Sequence, residues 1–321
     1  MFQPDPVKRF LIIIFLLSYF GGSTFATVPD TVKAGAYVIS VHDINFHNKE
    51  YTIRFWLWFL YKNPTFDFSK QLDIPNAKSI DDPEIMMDTI NGQAWVLMKM
   101  KCTMKQSWRV NDFPFDSQHL HVQIENTLFD NGDLVFAPDL AGSRYEKKIA
   151  IDGWVIRNFE VNSRTNNYET GFGDYRLPSQ HTEFATFNID MDIERDAWGM
   201  FLKIFVGMYI AFLIAIISFT PNPWELEPRF GLPVGGLFAA VGNKYIIDSL
   251  LPESSQFTLV DTLHSLTFFA IFATLVVSAL ALRLYDLGRK EACMRVNKIG
   301  SLLVVFLYIL FNMLFIWLAI L

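Results

Sequence analysis

His119 and His121 stand two apart in His119-Leu120-His121, so on an extended strand both imidazoles share one face. That spacing suits transition-metal ligation or proton sensing, and it equally suits two ordinary hydrogen-bonded histidines. No third ligand stands at a matching spacing, so neither a bound metal nor any other cofactor is expected. Other charged groups sit where charge is costly. Glu227 and Arg229, in Trp224-Glu-Leu-Glu-Pro-Arg229, lead into an apolar run that contains Lys244 and Asp248. The last two are spaced i, i+4 and can pair along a helix flank. The acids of Phe129-Asp-Asn-Gly-Asp133 lack the regular spacing of a calcium loop. No nucleophile motif, phosphate loop or carboxylate pair of defensible spacing occurs, so enzymatic activity is not expected.

The elements that must carry these residues follow from hydropathy. The chain has 321 residues, of which 51% are hydrophobic and only 19% charged, too apolar for an average soluble protein. Phe10 to Phe20 follows Lys8 and Arg9 and ends in Gly-Gly-Ser-Thr-Phe-Ala, the pattern of a secretory signal peptide cleaved after Ala26. Four long apolar segments, about 200–220, 230–251, 258–283 and 299–321, are each long enough to cross a bilayer as a helix. Residues 27–199 are then an exported domain, and four crossings return the C-terminus to the same side. Arg289, Lys290, Arg295 and Lys298 fall in the 284–298 connection, which the positive-inside rule puts in the cytoplasm.

Residues 27–199 carry 25 acidic against 17 basic side chains, which argues against nucleic acid and for cationic ligands or an acidic solvated surface. Cys102 and Cys293 fall on opposite sides of the membrane in this topology and cannot pair within one subunit. Lys33 to Asp43 and Tyr51 to Tyr61 read as strands, the second apolar on both faces as an inner strand or subunit contact would be. Asn91-Gly92 and Asn131-Gly132 read as tight hairpin turns. The expected fold is an immunoglobulin-like all-β sandwich of about ten strands followed by a four-helix transmembrane bundle.

On the second apolar segment, Gly231, Gly235, Phe238, Gly242, Tyr245 and Ser249 fall within a stripe about 80° wide at about 100° per residue. Small residues at such spacing either let transmembrane helices pack closely or face a pore. The polar neighbours Lys244 and Asp248 favour the pore, because ionisable groups in a membrane face protein or water.

The run Trp108-Arg-Val-Asn-Asp-Phe-Pro-Phe-Asp-Ser-Gln118, the Arg195 that closes Met191-Asp-Ile-Glu-Arg-Asp196, and Leu251-Pro252 beyond the second segment resemble the pentameric ligand-gated ion channels, specifically their bacterial branch. No cysteine flanks the Phe-Pro-Phe-Asp loop, whereas the animal receptors close it with a disulfide. The resemblance implies a homopentamer in the plasma membrane, a small-molecule agonist between neighbouring β-domains, and a pore for monovalent ions lined by the second helix. Glu227 and Arg229 then match the charged ring at the inner mouth, with cations preferred, and Phe238 is the candidate hydrophobic gate. The agonist site is expected from Tyr168, Phe172 and Tyr175 in the loop 166–178, with Phe184, Phe129 and, from the neighbour, Trp58; such a box suits an amine. Coupling is expected where Asn48 and Lys49, Phe113, Pro114, Phe115 and Asp116, and Leu251 and Pro252 converge, with Arg195 placed to pair with Asp116 or another acid. The same architecture also suits a membrane-anchored sensor that does not conduct.

Overall fold

A computed structural model describes residues 28–175, 181–251 and 256–320. The expected signal peptide, Pro252 and the end of the aromatic loop lie outside the described residues. The chain forms β1 (Asp30–Asn45), β2 (Glu50–Tyr61), β3 (Leu72–Asp73), β4 (Ala77–Ile80), β5 (Glu84–Ile90) and β6 (Gln93–Lys105). It continues through β7 (Ser117–Asn126), β8 (Leu134–Pro138), β9 (Arg144–Tyr145), β10 (Trp154–Tyr168) and β11 (Thr182–Arg195). The helices are α1 (Ala197–Ile217), α2 (Leu226–Asp248), α3 (Leu259–Asp286) and α4 (Lys290–Ile320). A β-sandwich is thus followed by four apolar helices.

Among the described residues the strands form two sheets. One has seven strands, with the order β4-β6-β2-β1-β8 and with β5 on β6 and β9 on β1. The other has four, in the order β10-β11-β7-β3. Alternation explains the sandwich: Phe55, Leu57 and Phe59 of β2 and Leu120, Val122 and Ile124 of β7 all point into the core. Phe59 stacks on Phe68 at 4.1 Å, and Phe136 reaches Phe187 of the facing sheet at 6.4 Å. Trp56, Trp58 and Leu60 are half-buried on the other face of β2.

The two Asn-Gly pairs behave differently. Asn91 (φ 53°) and Gly92 (φ 75°) make the turn between paired β5 and β6, since positive φ at both positions matches the twist of the strands. Asn131-Gly132 does not make a hairpin, because β7 and β8 lie in different sheets and β8 instead pairs in parallel with β1. Its turn is held locally, with the Gly132 amide donating to Asp130 Oδ1 at 2.8 Å.

All four helices are long and apolar enough to cross a membrane. Helices α1, α2 and α4 begin before their apolar segments and α3 ends after its own, because hydropathy marks only what suits hydrocarbon, whereas α1 and α2 already end at Ile217 and Asp248. Lys290, Arg295 and Lys298 are helical in α4, so the connection from α3 narrows to a turn through Gly288 (φ 73°). Thr258 and Asp261 cap each other at the start of α3, satisfying amides that a helix start leaves open. The core is continuous from the sandwich into the helices, through Phe201, Ile204 and Phe205 of α1, Ile247 of α2, and Leu251 and Leu259.

The close approach of α1 and α2 depends on Gly236. A Cβ at Gly236 of α2 would lie 2.6 Å from the Ala211 carbonyl oxygen of α1, so only glycine allows the two backbones to approach this closely. Gly236→Val should therefore separate α1 from α2 and destabilise the bundle by about 1–3 kcal/mol. Thermal unfolding of the purified chain in detergent, beside a Gly231→Val control, measures the difference.

Candidate functional site

Three places bring the sequence-selected residues together: a joint between strands and helices, the open face of α2, and an aromatic cluster at the β10–β11 end.

At the joint, Arg195 ends β11 one residue before the N-cap of α1, and Asp116 immediately precedes β7. The strands are paired through Ile193 and Gln118, which brings the two side chains to the same end of the sheet. Arg195 Nε donates to Asp116 Oδ1 at 2.6 Å and a terminal nitrogen donates to Oδ2 at 3.2 Å. Both side chains are buried. Gln118 adds a donor to Oδ2 at 2.6 Å, and the Arg195 amide donates to the Asp116 carbonyl at 3.2 Å. The guanidinium is also walled by rings, lying 4.1 Å from the Trp154 centroid and 4.8 Å from those of Phe46 and Phe113. A fork of two donors on one carboxylate with ring faces around it is arginine chemistry that lysine cannot reproduce.

Phe113 and Phe115 have separate tasks. Phe113 is buried in the box around Arg195, while Phe115 leaves it and meets Trp198 and Phe201 of α1 at 5.3 and 5.5 Å. Pro114 is buried between them. The same loop reaches α3, whose Leu259 amide donates to the Asn111 carbonyl at 2.7 Å. Asn48 and Lys49 form the exposed β1–β2 turn. Neighbouring His47 lines a cavity with Val110, Tyr245, Leu251 and Asp261, so strands and helices converge here. Lys244 lies 2.7 Å from Asp248 and 2.8 Å from Asp261, adding a second acid, from α3, to the expected i, i+4 pair.

On α2, Gly231, Gly235, Phe238, Gly242 and Tyr245 are exposed, and Ser249 follows at the C-cap. Phe238 is 73% and Tyr245 78% exposed. A Cβ on Gly231, Gly235 or Gly242 would meet nothing within 4 Å, so these glycines do not serve packing inside the subunit; Gly236 does. Glu227 is exposed in the first turn, where a carboxylate suits the helix dipole. Arg229 is not beside it on the open face. Its side chain is 0% exposed and donates to the Pro221 carbonyl, to Ser278 Oγ of α3 and to Asn297 Oδ1 of α4 at 3.2, 3.3 and 2.6 Å. The two-residue step from Glu227 turns a helix by about 200°, which takes Arg229 from the open face into the bundle.

The aromatic cluster is smaller than expected from the sequence. Tyr168 meets Phe172 at 5.4 Å and Phe184 at 5.8 Å, and the two phenylalanines meet at 6.3 Å, all edge to face. Tyr175 is not drawn in and is 92% exposed. Phe129 turns away to Phe66 at 4.7 Å. Trp58 belongs to the other sheet, where its indole nitrogen donates to Asp139 at 3.3 Å. Beneath the cluster lies Glu125, which the sequence reading missed. This buried carboxylate accepts from Tyr168 and Asn166, each at 2.9 Å, and from Gln123 at 2.5 Å. Burial, then the bond to Glu125, pushes the Tyr168 hydroxyl up to about 12. An acid at the buried end of β7 carries no sequence signal, because strand periodicity does not separate a functional acid from a solvated one.

No family model matches the chain. It is similar to a protein of Gloeobacter violaceus (strain ATCC 29082 / PCC 7421) described as a proton-gated ion channel, with 20% identity over 254 residues, 73% of this chain and 67% of that protein. Sandwich, helices and similarity fit the pentameric ligand-gated channel family.

Asp116→Asn leaves the Arg195 charge buried without its counter-charge, and should destabilise the chain by about 3–5 kcal/mol. Arg195→Lys should restore little in place of arginine. The double variant Asp116→Asn/Arg195→Met should cost clearly less than the sum of Asp116→Asn alone and Arg195→Met alone, as read from thermal midpoints in detergent.

Proposed function

We propose that this chain is one subunit of a homopentameric ligand-gated ion channel in a plasma membrane, with the β-domain and the C-terminus outside. The observation that carries the reading is the open face of α2: glycines that touch nothing in the subunit, two large aromatic side chains, and Glu227 in the first turn. Five such faces around an axis would line a pore. Phe238 is placed to close it, since a ring of apolar side chains at mid-membrane excludes water. Glu227 supplies an acidic ring, and the burial of Arg229 removes the base that would oppose it, so the reading favours monovalent cations.

Agonist is proposed to act at the Tyr168, Phe172 and Phe184 cluster, with Trp58 of the neighbouring subunit facing it. Ring faces above the Glu125 carboxylate suit a small amine, and the similarity to a proton-gated channel makes acidification the other stimulus to test. The signal would pass down β11 to Arg195 and, through Phe115, to α1. Such a joint is the two-state element that coupling between distant sites requires. A non-conducting membrane sensor of the same architecture is the second reading, favoured by the aromatic side chains on the open face and by Pro233 inside α2.

Planar-bilayer recordings of the purified chain, over pH and a panel of amines, test these readings. Gated currents with a reversal potential near that of sodium in a sodium chloride gradient are expected, and Glu227→Gln should move it towards the chloride potential. Phe238→Ser should pass current without stimulus. Silence under every condition from a correctly assembled pentamer would favour the sensor.

Phe115→Ala removes the contact with Trp198 and Phe201. It should weaken the response to agonist at least tenfold while calorimetry shows agonist binding changed by less than threefold.

A further inference from the structure

The outer face of the four-stranded sheet carries a cluster that the channel reading leaves unused. The register of β7 against β11 puts His121 opposite Asp190 and His119 opposite Asp192, so two imidazoles and two carboxylates share one face. Asp190 Oδ1 lies 2.5 Å from His121 Nδ1 and 3.3 Å from His119 Nε2. One ligand atom from each of His119, His121 and Asp190 falls within 4.8 Å of the others. The third ligand absent from the local sequence comes from the neighbouring strand.

The rest of the face orients these atoms. The other oxygen of Asp190 accepts from Asn162 at 2.7 Å and from Arg164 at 3.1 Å, which leaves Oδ1 for the histidines. Asp192 is held likewise, with Asn158 donating to Oδ2 at 3.3 Å while Oδ1 stands 2.7 Å from His119 Nδ1. A proton on Nδ1 directed to Asp192 leaves the Nε2 lone pair facing Asp190 Oδ1. Two acceptors meeting at 3.3 Å repel unless a proton or a metal ion sits between them. A carboxylate that fixes an imidazole through its far nitrogen is a recurring support of metal-bound histidine.

We propose that His119 Nε2, His121 Nδ1 and Asp190 Oδ1 bind a divalent transition-metal ion of the zinc class, with Asp192 positioning His119 and water completing the shell. Two nitrogens and one oxygen suit zinc better than calcium or magnesium, which take oxygen shells. Tetrahedral ligands about 2.0–2.1 Å from zinc stand about 3.3 Å apart; the His119–Asp190 gap already has that width, and the His121 contact must open. With neutral histidines, the two carboxylates outweigh Arg164 and leave the face net negative. The side chain of Asp190 is 2% exposed while that of His119 is 49% exposed, so the anchor is rigid and the ion has a way in.

The site lies beside the joint, since β7 begins directly after Asp116 and β11 ends at Arg195. A bound ion would clamp these two strands, and any effect on gating rests on the channel reading above.

Zinc titrated into the purified full chain in detergent, against a chromophoric chelator, tests the site without reference to current. One equivalent per chain is expected, at least tenfold weaker in His119→Ala and in His121→Ala, and about 10–100-fold weaker in Asp192→Asn. Cobalt in place of zinc should give the intense visible bands of four- or five-fold coordination. No saturable zinc binding, weak six-coordinate cobalt bands in the unaltered chain, or unchanged affinity in the folded double variant His119→Ala/His121→Ala would overturn the proposal. In bilayers, saturating zinc should shift the response of the unaltered chain at least threefold and leave the double variant unmoved. Zinc bound to a chain that carries no current upholds the site and counts only against the channel reading.

Discussion

The paired charges of Arg195 and Asp116 hold the two halves of the molecule in register. A guanidinium this deeply buried is tolerable only with its counter-charge in a two-donor fork and with polarisable ring faces around it. Both conditions are met, by Asp116 and by Phe46, Phe113 and Trp154. Because Arg195 closes the last strand and Asp116 opens β7, the pair ties the end of the four-stranded sheet to the entrance of α1. The loop around Asp116 is thereby aimed, with Phe115 onto α1 and the Asn111 carbonyl onto the first amide of α3. No disulfide supports this loop, and both cysteines are free and buried elsewhere.

A second buried arginine does comparable work at the other end of the bundle. Arg229 gathers the α1–α2 connection, α3 and α4 through Pro221, Ser278 and Asn297. Its withdrawal into the bundle leaves Glu227 as the charge on the exposed side of the first turn of α2. The same helix divides its glycines between two tasks. Gly236 admits the backbone of α1, while Gly231, Gly235 and Gly242 face open space. One small-residue pattern on one helix thus serves both close packing and an open wall.

Much of the architecture was legible in the chain because it depends on local periodicity. Apolar length gave four membrane-capable helices, alternation gave the strands of the sandwich, and Asn91-Gly92 gave its hairpin, since positive φ at two successive residues is a local requirement. Asn131-Gly132 read the same way and proved different, because the strands it joins belong to separate sheets and no local signal carries sheet membership. Lys290 to Lys298 read as a loop and are helical, since charge removes a segment from hydrocarbon without removing it from a helix.

What the sequence by itself determined was the set of elements and the shortlist of residues with chemistry to offer, because period, length and residue type are local quantities. Only the tertiary structure decided which of those residues meet. It separated Phe113 from Phe115, took Arg229 away from Glu227, and drew Tyr168, Phe172 and Phe184 over an unsuspected Glu125. It also brought Asp190 and Asp192 to His119 and His121 from a strand about seventy residues away. Strand register and helix rotation set those meetings, and both are fixed by burial of the whole core rather than by any short stretch of chain.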